Sequence, residues 1–218
     1  NELPDITEVY PAHGAGSLCG KAIGSRQSST VGYERRFSPS LQEKPEDKWV
    51  GDLLDEMPLS PSYFKRMKKV NKEGPAIVGP KLPGQKRWGA KHVHERVCDE
   101  CLVVDVRPKE SFSAAHIPGA INIPFGNNLP TWAGWVLPYD RPILLVAEES
   151  SQVDKVTTHL LRVGFDDVQG YLEGGIDSWE TSGFEFSRLN TMSVHELDRK
   201  HKSERSLTIL DVRTEKEW

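Results

Sequence analysis

Apolar runs of strand length alternate with helical patterns through the middle of the chain. The runs fall at 102–106, 121–123, 143–146 and 168–171, and the helical patterns lie before the first run, at 152–163 and around 176–181. Continuous apolar strands that alternate with helices are typical of a parallel sheet covered on both faces. The pattern therefore predicts an α/β domain over residues 88–186, with a parallel sheet flanked by helices.

One part of this pattern occurs twice. The segment LVVDVRPKESF at 102–112 returns as LTILDVRTEKEW at 207–218, and Asp211 follows Asp105 by 106 positions (211 − 105 = 106). This interval is the length of one domain. Residues 191–218 are therefore expected to hold the first helix and strand of a second, truncated domain. In each copy the aspartate and the arginine two positions later are expected to form a structural ion pair.

Two segments precede the complete domain. Residues 1–42 are loop-like and rich in Gly and Ser, with one short predicted strand at Thr7–Tyr10 that Pro11 ends. Residues 43–87 are predicted to be a helical connector in which proline interrupts the helices. One of its helices is expected to begin at Pro61, with Ser60 as the N-cap. Its apolar face would carry Tyr63, Phe64 and Met67, opposite a basic face.

Composition narrows the possible classes of protein. The chain of 218 residues is 37% hydrophobic and 28% charged, with a formal net charge of −4. These values are ordinary for a globular protein and give no sign of nucleic-acid binding. No apolar run has the length of a membrane span. Three cysteines do not suggest a disulfide framework, so a cytoplasmic location is expected. The sequence leaves a homo-oligomer open.

Three motifs in the complete domain occur in order at domain-scale spacing. They are VVDVRPKESFSAAHIPGAINIP at 103–124, PILLV at 142–146 and YLEGGIDSW at 171–179. Together they resemble a rhodanese domain. The resemblance implies a single α/β domain with an active loop between the 143–146 strand and the next helix. It also implies that His116 is a fold residue that bonds to the backbone.

The loop in question departs from the family pattern. In that family the loop begins with a cysteine and carries a basic residue five positions later. Here the corresponding residues are Ala147 and Gln152. A thiolate is needed to attack a sulfur donor, and alanine has no nucleophile. Glu148 and Glu149 also place negative charge where an anionic donor would bind. The resemblance therefore implies a rhodanese domain that does not transfer sulfur.

Two interpretations of the remaining loop residues are open. Ser150 or Ser151 could act as a substitute nucleophile, or both could cap the helix that follows while the glutamates interact with its dipole. The second interpretation is favoured because the sequence places no base beside either serine. We also expect the Glu148 carboxylate to occupy the anion-binding cradle that the missing persulfide would otherwise use.

The N-terminal segment carries a second informative motif, TEVYPAHGAGSLCGKAIGSRQSSTVGYERR at 7–36. It resembles the C-terminal part of a metallo-β-lactamase (αββα) fold, in particular the persulfide dioxygenases that are fused to rhodanese domains. The resemblance implies that His13 is a metal ligand or lies in the shell around the metal. The metal would be a single iron, with zinc as the alternative. The other ligands would come from an H-x-H-x-D-H motif that this chain does not contain, so in this chain alone His13 is expected to be a surface or interface residue.

The same motif suggests residues that could bind the substrate. Cys19 would be a sulfur-handling thiol, with Lys21 and Arg26 favouring its thiolate, or else a small buried residue; the sequence does not separate the two. An anionic thiol cofactor such as glutathione or coenzyme A could bind to Ser28, Ser29, Thr30, Tyr33, Arg35 and Arg36. The substrate implied by the resemblance is a small-molecule thiol persulfide of the glutathione or coenzyme A type.

One further cluster has the residue types and the spacing of a zinc site. His92 and His94 form an H-x-H pattern, and Cys98 and Cys101 form C-x-x-C. Yet helix positions two apart face different directions. We therefore expect two solvent-facing histidines and partly buried thiols.

The combined sequence interpretation is a fragment of a larger fusion protein. That protein would oxidise a persulfide to sulfite at one iron with O₂, and this chain would contribute an inactive rhodanese domain. The alternative is a metal-dependent hydrolase of the glyoxalase II type, fused to a rhodanese domain that serves as a regulatory or binding module.

Overall fold

Two units of unequal size make up the chain. The computed structural model describes residues 2–12, 26–55, 61–97, 101–204 and 206–213. The first unit is Asn1–Pro61 and the second is Ser62–Trp218. The boundary falls inside the segment 43–87, which the sequence predicts to be a connector. Among the described helices, none has the length and apolar character that a membrane span requires.

The first unit is built around a short antiparallel pair of strands. Strand β1 (Glu8–Val9) pairs with β2 (Ser29–Thr30), and helices α1 (Val31–Phe37) and α2 (Glu46–Asp55) follow. The Thr30 hydroxyl accepts a hydrogen bond from the Tyr33 backbone N–H at 3.2 Å and thereby caps α1. The predicted strand at 7–10 is thus confirmed in a shorter form, and α2 lies within the segment 43–87 that is predicted to be helical.

The described residues of the second unit form a parallel five-stranded sheet. Its spatial order is β3 (Arg87–Trp88), β7 (Val168–Leu172), β6 (Ile143–Val146), β4 (Leu102–Asp105) and β5 (Ile121–Asn122), and each neighbouring pair is parallel. The helices of this unit are α3 (Tyr63–Glu73), α4 (Ala90–Val97), α5 (Lys109–Ala114), α6 (Leu129–Val136), α7 (Val153–Arg162), α8 (Gly175–Thr181) and α9 (Val194–Ser203). The predicted α/β class is therefore confirmed.

Apolar side chains cover both faces of this sheet. Leu102 and Val104 of β4 pack into one buried cluster with Leu145, whereas Val103 packs into the opposite cluster with Leu144. All five are at most 5% exposed. Burial of each such side chain stabilises the fold by roughly 1.5–3 kcal/mol. Because both faces are buried, the central strands read as continuous apolar runs rather than as alternating ones.

Helix α3 packs on the core of the second unit. Tyr63 is buried in one of the two clusters, and a Cβ at Gly134 would lie 2.5 Å from its ring, so only glycine leaves room for the ring there. The predicted apolar face is confirmed. The predicted start is wrong, because the helix begins at Tyr63. Ser60 lies outside the described residues, and the Ser62 hydroxyl donates to the Gly134 carbonyl at 3.0 Å instead of capping the helix.

The C-terminal segment follows its prediction only in part. Helix α9 forms as predicted, with a capping box in which Ser193 and Glu196 bond reciprocally. The predicted second strand is wrong, since residues 206–213 form no strand. Its apolar side chains are exposed: 81% for Leu210 and 87% for Val212. A strand needs hydrogen-bonded neighbours, and no described residue pairs with this segment.

Candidate functional site

The loop at 147–152 lies at the carboxyl end of β6. In this sheet the chain leaves β4 towards β5 on one side and leaves β6 towards β7 on the other. Ligands of open α/β sheets bind at such a switch point, outside the carboxyl ends of the strands. The position that the sequence aligns with the family's active loop is therefore where the topology favours a site.

Ala147 occupies the first position of this loop. It is 7% exposed and directly follows the buried strand β6. On its other side the backbone of Gly175 comes close, at φ 58°, and a Cβ there would lie 3.3 Å from the Ala147 carbonyl oxygen. The geometry thus keeps the backbone around position 147 tightly packed. The methyl group of Ala147 supplies neither a nucleophile nor a hydrogen-bonding atom.

The two glutamates that follow are each held by a serine hydroxyl. The Ser111 hydroxyl donates to Glu148 Oε1 at 3.0 Å, and the Ser151 hydroxyl donates to Glu149 Oε2 at 2.9 Å. Both glutamates are exposed. The expectation that Glu148 occupies the backbone cradle is wrong, because among the described residues its carboxylate accepts only from Ser111. The hydroxyl from α5 and the surrounding solvent satisfy the charge instead.

The start of α7 differs in detail from the prediction. A short 3-10 turn at Ser150–Gln152 leads into α7, as the predicted helix start requires. The predicted capping by serine is wrong, because neither helical segment has a side-chain cap. Ser151 bonds to the Glu149 carboxylate two residues before it, which uses its hydroxyl in a local turn. No histidine lies in the loop that could serve as a base for a serine nucleophile.

A cavity of 490 Å³ opens beside the loop. It is lined by Ala147, Glu148, Glu149, Ser150, Ser151, Tyr171, Leu172, Gly174 and Gly175. The charged residues of this lining are the two glutamates. The cavity therefore disfavours an anionic sulfur donor, in agreement with the expectation from the sequence.

A second, smaller cavity of 350 Å³ is also lined by Glu148. Its lining includes Gln152, which stands at the family's basic position, and Lys109 from α5. The Lys109 ammonium group lies 3.8 Å from the Glu110 carboxylate, and its side chain is 79% exposed. Lys109 and Ser111 were not predicted as site residues, because they come from a helix that is distant in sequence and carry no motif of their own.

The aspartate and arginine of the complete copy form a buried pair, as predicted. Arg107 Nη2 lies 2.6 Å from Asp105 Oδ2, with side-chain exposures of 5% and 1%. The same nitrogen donates to the Ala115 carbonyl at 2.7 Å. The Asn122 amide donates to the carbonyls of Asp105 and Arg107 at 2.9 and 3.0 Å. These bonds tie the end of β4 to its neighbours, which is a structural role.

His116 also has the structural role that the resemblance implies. Its Nδ1 lies 2.8 Å from the Phe112 carbonyl oxygen, and its ring stacks on the Phe112 ring at 3.9 Å. The residue is 6% exposed, and its backbone forms a bridge with Ser187. His116 therefore joins α5 to the segment after α8 and is not part of the cavity.

The two histidines of α4 are in contact with aromatic rings. His94 stacks on Phe184 at 4.2 Å, and His92 lies 5.6 Å from the ring of Trp88. Both histidines are exposed, as predicted, and Cys101 is buried at 3% exposure. Cys98 lies outside the described residues. Within the described ranges, no group of three His, Cys, Asp or Glu side chains is placed to hold a metal ion.

The predicted residues of the N-terminal motif are described only in part. His13, Cys19 and Lys21 lie outside the described residues. Arg26 places its guanidinium over the Tyr33 ring at 4.4 Å. Arg35 forms an ion pair with Asp5 and donates to the Leu3 carbonyl at 2.9 Å.

These contacts bear on the predicted thiol-cofactor and metal sites. The contacts of Thr30, Tyr33 and Arg35 hold the first unit together. In the part of the first unit that the structure describes, the residues do not fit the implied iron, because they supply no set of metal ligands.

Comparison with known proteins agrees with this description. Residues 89–182 match the family described as rhodanese-like domain. Thiosulfate sulfurtransferase GlpE of Shewanella oneidensis is 35% identical over 77 residues, which is 35% of this chain and 73% of that protein. Adenylyltransferase and sulfurtransferase UBA4 of Meyerozyma guilliermondii is 32% identical over 84 residues, which is 36% of this chain and 20% of that protein.

A solved structure is similar over more of the chain. The metallo-beta-lactamase from Staphylococcus aureus subsp. aureus COL is 35% identical with a TM-score of 0.61. The match covers 78% of this chain and 46% of that one, so this chain spans about half of its length. The parallel sheet, the matched residues and the sulfurtransferase relatives agree: this chain belongs to the family of proteins that contain a rhodanese-like domain.

Proposed function

We propose that this chain carries a catalytically silent rhodanese domain that belongs to a larger, metal-dependent persulfide dioxygenase. The observation that carries the proposal is Ala147 at the position of the nucleophile, at the mouth of an acidic cavity. The domain then has the fold of its sulfurtransferase relatives without their reactive atom. Its role in the larger protein is structural: it couples the metal domain to the second rhodanese domain whose first helix is α9.

The chemistry of sulfur transfer explains why a domain with Ala147 at the nucleophile position is inactive. A rhodanese thiolate attacks the outer sulfur of a donor, forms a new S–S bond and releases the remainder of the donor as an anion. The methyl group of Ala147 has no lone pair with which to attack. Glu148 and Glu149 add repulsion of about 1 kcal/mol or more each against an anionic donor at roughly 4 Å. Both the nucleophile and the favourable charge are therefore missing.

The similarity to the metallo-beta-lactamase supports the assignment of a fused metal domain. It covers 78% of this chain, whereas the rhodanese-like match is confined to residues 89–182. The similarity therefore extends well beyond the rhodanese domain. This agrees with the proposal that residues 1–42 are the C-terminal part of a metallo-β-lactamase fold, followed by the connector 43–87, the domain 88–186 and the start of a second domain at 191–218.

The proposed activity of the larger protein is oxidation of a small-molecule thiol persulfide of the glutathione or coenzyme A type. The outer sulfur is oxidised to sulfite, O₂ is reduced, water supplies the third oxygen and the thiol leaves. Iron, with zinc as the alternative, would supply the oxygen chemistry. In this proposal His13 belongs to the surroundings of that metal and Cys19 handles sulfur, while the metal ligands come from a part of the larger protein that precedes this chain.

A hydrolase of the glyoxalase II type is the second candidate, because the solved structure is named a metallo-beta-lactamase. The longer protein separates the two. Incubation with glutathione persulfide and O₂ is expected to yield sulfite, and incubation with a glutathione thioester is expected to yield no free thiol. Thioester hydrolysis without sulfite formation would establish the hydrolase instead.

The silent domain is tested with this chain itself. With thiosulfate and cyanide, we expect the 218-residue chain to form thiocyanate at the background rate, with GlpE of Shewanella oneidensis as the positive control. Thiocyanate formation above background would overturn the proposal.

An added cysteine tests the contribution of charge. We expect Ala147→Cys alone to restore little turnover, because both glutamates still repel thiosulfate. Ala147→Cys combined with Glu148→Gln and Glu149→Gln is expected to be about thirtyfold faster than Ala147→Cys alone, because about 1 kcal/mol of repulsion is removed at each position. Turnover of the single variant equal to that of GlpE would show that the carboxylates have no effect.

A further inference from the structure

We propose that copies of this chain associate through two surfaces of opposite charge, a lysine stripe on α3 of one copy and an acidic edge on the next copy. The lysine stripe comprises Lys65, Lys68, Lys69 and Lys72. The acidic edge comprises Glu148, Glu149, Asp177 and Glu180. The partner is therefore a second copy of the chain, and the association does not depend on the activity proposed for the larger protein.

Positive charge is concentrated in one segment of the sequence. Residues 62–94 contain nine Lys or Arg and one Asp or Glu, so the segment carries a formal charge of +8 (9 − 1). The whole chain carries −4, so the remainder carries −12 (−4 − 8). Such separation of charge produces a surface potential that steers association between oppositely charged surfaces.

The lysine stripe is a regular feature of α3. Its residues follow the spacing i, i+3, i+4 and i+7, which places them on one face of a helix with neighbouring side chains about 5–6 Å apart. The stripe extends over about 10 Å along the helix axis. The opposite face holds Phe64 and Met67, which pack on the buried core, so the helix is anchored with its lysines towards solvent.

The charges of the stripe are almost entirely unneutralised. Lys69 lies 4.0 Å from Glu73, with 72% of its side chain exposed. Among the described residues, Lys65, Lys68 and Lys72 have no anionic partner. A row of unpaired like charges on one helix face is destabilising by itself. An anionic surface that covers the row would relieve this repulsion.

The acidic edge has the complementary property. Its four residues are exposed, and none has a cationic partner among the described residues. The two glutamates of the loop accept bonds from serine hydroxyls, which leave their charges intact. Helix α8, which carries Asp177 and Glu180, adjoins this loop, because a Cβ at Gly175 would lie 3.3 Å from the Ala147 carbonyl oxygen.

The stripe and the edge of one copy cannot pair with each other. Arg66 Nη2 donates to the Gly164 carbonyl at 3.2 Å, which places α3 at the amino ends of the strands, between α7 and β7. The acidic loop follows the carboxyl end of β6, and this strand alone spans about 13 Å. Helices α3 and α8 also pack on opposite faces of the sheet. Both surfaces therefore face outward, towards neighbouring copies.

The distribution of charge favours a second copy over other anionic partners. A nucleic acid or an anionic membrane carries one sign of charge throughout, so it attracts the stripe but repels the strongly acidic remainder of the chain. A second copy can instead present its acidic edge to the stripe. The contact is heterologous, since different surfaces of the two copies meet. Contacts between exposed charges of this kind are weak and depend on salt.

Sedimentation velocity of the 218-residue chain over a range of protein concentrations tests the proposal. At about 0.01 M salt, where the Debye length is about 30 Å, we expect reversible self-association. At about 1 M salt, where it is about 3 Å, the association is expected to weaken at least about tenfold. A chain that is monomeric at every concentration in low salt would overturn the proposal, and so would association that is unchanged at high salt.

Reversal of charge shows whether the stripe is responsible. The stripe variant Lys65→Glu/Lys68→Glu/Lys72→Glu is expected to weaken self-association at least about tenfold at low salt. The control Lys48→Glu/Lys155→Glu/Lys200→Glu changes the net charge equally at exposed lysines outside the stripe. We expect the control to associate more strongly than the stripe variant, and both to keep the circular dichroism spectrum of the unmodified chain. Equal losses in the two variants would assign the effect to net charge and contradict the proposal.

A mixture of two reversed chains identifies the occupant of the stripe. The edge variant Glu148→Lys/Glu149→Lys/Asp177→Lys is expected to be monomeric by itself, like the stripe variant. Mixed together, the two are expected to associate, because each reversed surface then meets a surface of opposite charge on the other chain. A mixture that stays monomeric would refute the pairing of stripe and edge. An unmodified chain that is monomeric at low salt but binds phosphatidylserine vesicles would show that the stripe binds a membrane instead.

Discussion

The same Asp-Val-Arg turn occurs twice in this chain, in surroundings that differ completely. We call residues 102–107 the first motif and residues 208–213 the second motif. In each, the Arg backbone N–H and Nε donate to Asp Oδ1 at 3.0 Å, and Nη2 donates to Oδ2 at 2.6 Å. The side-chain exposures of arginine and aspartate are 5% and 1% in the first motif and 56% and 34% in the second.

The strands that lead into these turns behave differently. In the first motif Val104 pairs with Ile121 on one side and with Leu145 on the other. In the second motif the corresponding residue is Leu210, which is 81% exposed and in no strand. The turn spans three residues, and the same hydrogen bonds between its aspartate and arginine form in both motifs. The strand depends on its partners, because its hydrogen bonds and its apolar contacts are both supplied by other strands and helices.

Removal of the aspartate is expected to separate the two motifs most clearly. Asp105→Ala leaves the Arg107 charge buried without its partner, which costs about 3–5 kcal/mol of the free energy of unfolding. Asp211→Ala removes a carboxylate from an ion pair that is exposed to solvent. Such pairs contribute little to stability, so the midpoint of urea unfolding is expected to stay unchanged. Asp105→Asn keeps the shape and isolates the charge. Equal effects at 105 and 211 would show that burial does not distinguish the motifs.

Truncation of an apolar side chain is expected to give the next largest difference between the two motifs in the free energy of unfolding. Val104→Ala removes buried methyl groups between two sheet neighbours and is expected to cost about 1–2 kcal/mol in urea unfolding. Leu210→Ala removes a larger side chain that is in solvent, and we expect no loss of stability. A loss at Leu210 as large as that at Val104 would mean that the second strand is packed in solution.

The residues of the second motif can be tested inside the first. Val103→Ile/Val104→Leu places the apolar residues of the second motif into β4, which is tightly packed on both faces. We expect a folded domain that is destabilised by about 1 kcal/mol through overpacking, as measured by circular dichroism and urea unfolding. Loss of the fold would show that the second motif is unsuited to a strand by its own sequence, rather than by the lack of partners.

The contrast between the motifs also explains what the sequence could predict. Strands β4, β5, β6 and β7 and helix α7 follow from the periodicity of apolar residues. The ion pair of Asp105 follows from the closeness of its two residues in sequence. The strand at 208–212 carries the same pattern and was predicted wrongly, since a pattern does not reveal whether a partner strand is present.

In the candidate site, too, residues that are close in sequence were predicted and contacts between distant segments were not. Ala147 and Glu148 were predicted as site residues because they lie in one contiguous loop. The bond from Ser111 to Glu148 joins residues 37 positions apart, and Tyr171 comes from a third element, so neither leaves a signal in the sequence. Such contacts are set by the sheet topology, which brings distant loops to one edge.

The smallest expected difference concerns the titration of Asp211 in the second motif. The hydrogen bonds from the Arg213 side chain and backbone N–H lower the pKa of the Asp211 carboxyl below its ordinary value, even though the pair is in solvent. Because the pKa is lowered in the formed turn, the pair stabilises the turn at pH values above the ordinary aspartate pKa. This contribution is lost as the pH falls through the lowered value.

We expect NMR titration of the Asp211 carboxyl carbon to give a midpoint below that of an ordinary aspartate, and Arg213→Gln to raise it. Because the bonds are local, urea should move this midpoint only at concentrations that open the turn itself. A midpoint already at the ordinary value in the unmodified chain would mean that the second turn does not form without its sheet, and the two motifs would then differ in their turns as well as in their strands.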